Sequence, residues 1–230
     1  MVSALQGLGS VIIDAQMAPL RAAESAGAER FIPSDFSADL FGVDPGENRN
    51  FDLRRTFAAL LDGSAISGTS VLNGMFTDML LFGHPCVHAN TGTFALWGEP
   101  DQLLDMTSVA DTAKFTAAVA TDQDKTPRVL RFAGESLTLD DVRQRCEVWL
   151  GRSLQPQHRG SVDDLTELIG QQMRENPGQA DDGSSPWQGL QYLHNMVSGK
   201  AQFESIDNDP YSDVQPQSVA EFLQDKPAPN

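Results

Sequence analysis

The chain has 230 residues, 40% of them hydrophobic, which suits one large domain or a domain with an appendage. Its 16 basic and 32 acidic side chains leave a net charge of -16, which argues against nucleic acid or an anionic membrane as partner, since both need a basic face. Two cysteines give no disulfide framework, no apolar run approaches the roughly 18 residues of a membrane span, and no basic n-region opens the chain, so a cytoplasmic location is expected.

Val2 to Leu5 reads as a short strand. Val11, Ile12, Ala15 and Leu20 form a helical stripe that stops at Gly27, with Pro19 expected to kink it or lie at a break in it. Arg30 to Pro33 is the next strand, followed by a loop from Phe36 to Asn50. Phe51, Leu53, Phe57, Leu60 and Leu61 mark a helix closed by Asp62-Gly63. Thr69 to Leu72 is β-rich and ends at Asn73-Gly74. A helix is expected from about Ser108 to Thr121, a strand from Arg128 to Phe132, and a helix capped by Thr138 and Asp141 that reaches Gly151. Helices then follow over Val162 to Asn176 and Trp187 to Ser198, joined by an exposed connector from Asp181 to Pro186. The tail from Asp225 to Asn230 is expected to fray.

Alternating strands and helices over the first 135 positions predict a parallel sheet. Residues 136–230 read as a mostly helical C-terminal region. In an open sheet of this kind ligands sit at the carboxyl ends of strands, which makes Ser34 and Asp35 candidate site residues.

Several other patterns have plainer readings beside the chemical ones. Gly7-Leu8-Gly9 follows a strand and opens a helix, yet Ile12 stands where a third glycine belongs, so an ordinary βα turn is the preferred reading. His84, Cys86 and His88 alternate, but residues two apart on a strand are about 6.6 Å apart, too wide for one ion, and no metal site is expected. Asp35 and Asp39 are paired carboxylates suited to acid–base work, although loop aspartates more often bond their own backbone. No G-x-S-x-G elbow and no Tyr-x-x-x-Lys pair is present. Trp97, Trp149 and Trp187 read as core.

Arg30-Phe31-Ile32-Pro33-Ser34-Asp35-Phe36 resembles the R-F-[IF]-P-S-[DE]-F signature of the NmrA-like and isoflavone-reductase-like proteins, atypical relatives of the short-chain dehydrogenases. Gln16 and Gly27 suit the family's preceding helix. Phe51-Asp52-Leu53-Arg54 is similar to its F-[DE]-x-K helix start, and Thr69 to Phe76 to its T-x-[VL]-x-x-G-x-F strand and turn. Trp97-Gly98-Glu99-Pro100 and Thr107 to Ala113 resemble its glycine turn and T-x-x-x-D-x-[AG] helix entry, and Trp187 to Tyr192 a feature of a microbial subgroup. The likeness covers nearly the whole chain.

The resemblance implies an α/β, Rossmann-like parallel sheet lacking its first βαβ unit, because the family's G-x-x-G-x-x-G loop would lie upstream of Met1. It implies NADP, or alternatively NAD, as cofactor, and a small aromatic or carbonyl compound as substrate. Carried over by position, Ser3 and Ala4 lie beside the cofactor, Pro33, Ser34 and Asp35 form the next strand end, and Asn73, Gly74, Met75 and Phe76 cover the nicotinamide end. The reductases' lysine falls on Arg54. A guanidinium does not exchange a proton as a lysine does, which moves weight from catalysis towards binding. Three functions stay open: an NADPH-dependent reductase, a dinucleotide-responsive binding protein without turnover, and a fragment without cofactor affinity. The oligomeric state is left open.

Overall fold

The computed structural model describes residues 1–82, 84–124, 126–179, 182–183 and 185–228. Asp181 and Ser184 of the expected connector, and Pro229 and Asn230 of the expected tail, lie outside the described residues. The strands in chain order are β1 (Arg30–Phe31), β2 (Ser67–Gly68), β3 (Ser70–Leu72), β4 (Met75–Phe76), β5 (Val87–His88), β6 (Thr93–Trp97), β7 (Leu103–Thr107), β8 (Val129–Arg131), β9 (Glu135–Thr138) and β10 (Gln155–Gly160). The α-helices are α1 (Gln16–Ser25), α2 (Arg49–Asp62), α3 (Met79–Phe82), α4 (Val109–Thr121), α5 (Leu139–Leu150), α6 (Val162–Glu175), α7 (Pro186–Val197) and α8 (Val219–Gln224). No helix among the described residues is long and apolar enough to cross a membrane.

The main sheet is parallel throughout. The strand expected over Val2 to Leu5 shrinks to one bridge, Val2 to Ile32, flanked by bonds from Ile32 N to Met1 O and from Ser3 N to Ile32 O, both 2.9 Å. β1 pairs with β2, Thr69 N carries the ladder on to Phe31 O at 3.0 Å, and β3 pairs with β8. Successive β1 residues face opposite ways. Phe31 packs with Leu20 and Ala23 of α1 and with Phe57 and Leu61 of α2. Ile32 faces the other side, where Val71, Leu130 and Phe132 meet Phe115 and Val119 of α4. Helices cover both faces, as a buried parallel sheet requires.

Two departures from the sequence reading have physical causes. The first helix opens as a π-turn over Ser10–Ala15 before becoming α1, which contains Pro19. Proline offers no N–H to the carbonyl four residues back and its ring crowds that carbonyl, here Ala15. The wider turn ends at that very residue, so the helix changes pitch there. The second departure is two small sheets, ordered β4-β7-β9 and β10-β6-β5. They join chain on either side of the 135/136 division through β7 with β9 and β6 with β10. Their strands are two to six residues long, and β10 is almost wholly exposed, so it carries no apolar alternation to read.

The caps follow sequence rules. Thr138 and Asp141 form a reciprocal capping box on α5, which closes at Gly151 in the left-handed conformation, φ 64°. The start of α2 is held from two directions. Asn48 Oδ1 accepts from Asn50 N at 3.0 Å and from Phe51 N at 3.3 Å, while α7 reaches the same amide. Gln188 Nε2 donates to Asn48 Oδ1 at 3.1 Å and Asn48 Nδ2 donates to Asn195 Oδ1 at 2.9 Å. Asn48→Ala removes the cap and strands two buried amides, so urea denaturation is expected to show a loss of about 2–3 kcal/mol. A loss under about 0.5 kcal/mol, the range of an ordinary surface change, would contradict that account.

Candidate functional site

The site forms where the parallel segments end. A single loop, residues 34–37, ties these ends together. Ser34 accepts and donates in three directions: its N–H to Gln16 Oε1 at 2.8 Å, its Oγ to Leu5 O at 2.5 Å, and its carbonyl from Arg54 Nε at 3.1 Å. Ser37 Oγ donates to Asp35 O at 2.9 Å, and Ser37 O accepts both Asn73 N at 3.0 Å and Gly74 N at 3.1 Å. One loop therefore fixes the end of the first segment, the π-turn helix, α2 and the turn after β3.

Within this frame the expected residues separate into two sets. The Ser34 hydroxyl proton is committed to Leu5 O and its backbone groups to Gln16 and Arg54, Pro33 is buried with its carbonyl taken by Asp35 N at 2.9 Å, and Ala4 is exposed. Ser3 Oγ and both polar atoms of the Asn73 amide are buried and have no hydrogen-bond partner. Unpaired buried groups each cost about 1–3 kcal/mol, which makes Ser3 and Asn73 candidates for bonding to a bound group. Gly74 has φ +68° and closes the turn against Asp105. Met75 is buried on β4. Phe76 is half-buried and, with Asp78, Met79, Phe82 and Val109, borders an open, mostly apolar hollow of about 370 Å³.

Arg54 is buried, and a second bond runs from its Nη1 to Asn50 O at 3.1 Å, one turn back on α2. Its guanidinium thus braces the cleft wall. Asp35 and Asp39 do not pair. Asp35 Oδ2 accepts Ser70 Oγ at 2.6 Å, whereas Asp39 Oδ1 caps Phe41 N and Gly42 N and its Oδ2 takes Arg131 Nε at 2.7 Å. Gly7 packs so closely on Val11 that a Cβ there would lie 2.7 Å from that side chain.

The remaining candidates are structural. His84 Nδ1 accepts Cys86 N at 3.1 Å; burial, then the nearby His88, pushes its pKa down to about 4, so the ring is neutral at pH 7. Burial pushes the Cys86 and Cys146 thiols up to about 12, which makes both poor nucleophiles. Among the described residues no three His, Cys, Asp or Glu side chains are arranged to hold a metal. Sequence reasoning missed Ser37, Ser70 and Arg128. Their bonds cross between segments far apart in the chain, which no local spacing signals.

A parallel sheet covered on both faces, with its open polar groups at the strand carboxyl ends, defines a Rossmann-like α/β protein. No protein-family model matches the chain, and no curated protein matches it in sequence. Solved structures do match in fold. Leucoanthocyanidin reductase from Vitis vinifera, solved with NADPH, superposes with a TM-score of 0.76 at 21% identity, over 97% of this chain and 73% of its own. AtPrR2, solved with NADP+ and (+)-pinoresinol, gives 0.76 and 21% over 97% and 73%. An isoflavone reductase gives 0.74 and 19% over 96% and 73%. These three neighbours are isoflavone-reductase-like proteins of the kind the sequence motifs resemble, and their fold is the fold of this chain.

Proposed function

We propose that this chain is an NADP(H)-binding protein of the isoflavone-reductase-like kind, acting as an NADPH-dependent reductase of a small aromatic or carbonyl compound. The observation that carries the reading is Asn73: a fully buried amide, at a strand carboxyl end, whose donor and acceptor are both unspent. A primary carboxamide such as that of nicotinamide offers the matching acceptor and donor. Ser3 Oγ adds a second open group two segments away in the same sheet. These residues, with Gly74, Met75 and Phe76, would hold the nicotinamide end, and the apolar hollow beside Phe76 suits a flat ring. When bound, the cofactor supplies a hydride; the chain's own residues orient, bury and hydrogen-bond.

The pyrophosphate end has less support. The 230 residues contain no G-x-x-G-x-x-G, so no glycine-lined helix N-terminus of that form cradles phosphate. Arg54 also favours a second reading, binding without turnover, because its guanidinium is tied to Ser34 O and Asn50 O and stands where the reductases carry lysine.

Titration with NADPH, followed by nicotinamide fluorescence, tests the proposal. Saturable binding is expected, weakened about tenfold by Asn73→Leu, the loss of roughly one good hydrogen bond. No saturation at about 1 mM NADPH, an affinity of only about −4 kcal/mol, would sink both readings. Saturation without oxidation across a panel of aldehydes and quinones would favour the second.

A further inference from the structure

Asp35 is a buried carboxyl for which the function proposed above has no use. It is fully inaccessible, its Oδ1 has no hydrogen-bond partner, and its Oδ2 accepts only the Ser70 hydroxyl. Ser70 Oγ in turn accepts Arg128 Nη1 at 2.8 Å. A guanidinium only donates, so the Ser70 proton is committed to Asp35 and the relay runs one way, from Arg128 through Ser70 to the carboxylate. Arg128 is itself held by Asp62, Nε to Oδ1 at 2.6 Å. The charges that bear on Asp35 are Arg54 from α2 and Arg128 from the segment entering β8, and neither hydrogen-bonds it.

The surroundings therefore give a charged Asp35 one hydroxyl and two cations at a remove, in exchange for its full hydration shell. Desolvation outweighs those three and raises the carboxyl from 3.8 to about 6. Its backbone sits in the loop that joins the strand ends: Asp35 O holds Ser37 Oγ, and Ser37 O holds the Asn73 and Gly74 amides. The carboxyl thus belongs to the loop that also anchors the turn after β3.

We propose that Asp35 is a proton switch in this wall: ionised, it leaves a charge fully buried with one oxygen unmet and weakens the folded chain, and taking up a proton removes that penalty. The inference does not depend on cofactor binding. Because the folded pKa lies above the unfolded one, the folded state holds the proton more strongly. The stabilising contribution is complete below about pH 3.8 and is lost as pH rises through about 6.

The test is urea unfolding of the ligand-free protein between pH 4 and 8, for the wild type, Asp35→Asn and Ser70→Ala. The wild-type unfolding constant, taken relative to Asp35→Asn, is expected to rise about 100-fold from pH 4 to pH 8, following the roughly two-unit shift. Ser70→Ala removes a bond to the charged form and is expected to move the wild-type transition to higher pH. Parallel profiles for wild type and Asp35→Asn would overturn the proposal. Carbon-13 NMR of the wild-type Asp35 carboxyl needs no variant: titration near pH 6 supports the switch, and titration near pH 4 ends it.

Discussion

Replacing Gly74 by alanine is expected to cost the fold at least about 3 kcal/mol, the sum of left-handed strain and steric collision. Gly74 has φ +68°, where a Cβ is disfavoured by itself. The collision is worse. A Cβ there would lie 2.1 Å from Asp105 O and 2.5 Å from its carbonyl carbon, and these are backbone atoms that no rotamer change can move aside. Asp105 sits in β7, between β4 and β9, with Oδ1 accepting Ser136 Oγ at 2.5 Å and Oδ2 accepting Phe203 N at 2.8 Å. The neighbour therefore cannot yield without breaking the second sheet. Urea denaturation measures the loss. A variant within about 0.5 kcal/mol of wild type, the scatter of a neutral surface change, would mean that the turn is not as drawn.

Phe132→Ala is expected to remove about 3–5 kcal/mol, the range for deleting a buried ring. Phe132 is fully buried and stacks on Phe115 with ring centroids 4.1 Å apart and an interplanar angle of 18°. Tyr211 meets the same Phe115 edge-on at 4.9 Å. The pair joins the end of β8 to α4, so the cavity would open where the sheet meets that helix. Thermal or urea unfolding with unchanged m-value checks the figure. Phe132→Leu keeps most of the volume and is expected to recover more than half of the loss.

The parallel sheet was legible because its strands are short apolar runs bounded by polar turns. Phe31-Ile32 and Val71-Leu72 are all buried, so they read as strands covered on both sides. Helix boundaries were legible where capping chemistry is local, as at Ser108 with Asp111 and Thr138 with Asp141. Three kinds of feature were not. The π-turn depends on how one carbonyl avoids Pro19, which composition does not express. The small sheets consist of strands too short for a period to emerge. The relay through Ser70 joins positions 35 residues apart on one side and 58 on the other, a separation at which no spacing rule operates. At the candidate site the family motifs drew attention to Ser34 and Asn73 alike, but only the hydrogen bonds separate them: the Ser34 hydroxyl has a backbone partner, and neither polar atom of the Asn73 amide has one.

The parallel register of the main sheet also governs how this molecule reaches its native state. Each neighbouring pair is closed by a long crossover, from Val2 to Ile32, from Phe31 to Gly68 and from Leu72 to Arg131. Loop closure must come before any of these ladders forms, and such non-local pairings slow folding. The 34–37 loop bonds to residues from three of those closures. The 34–37 loop is accordingly expected to be among the last parts of the chain to take its native bonds, after collapse and helix formation.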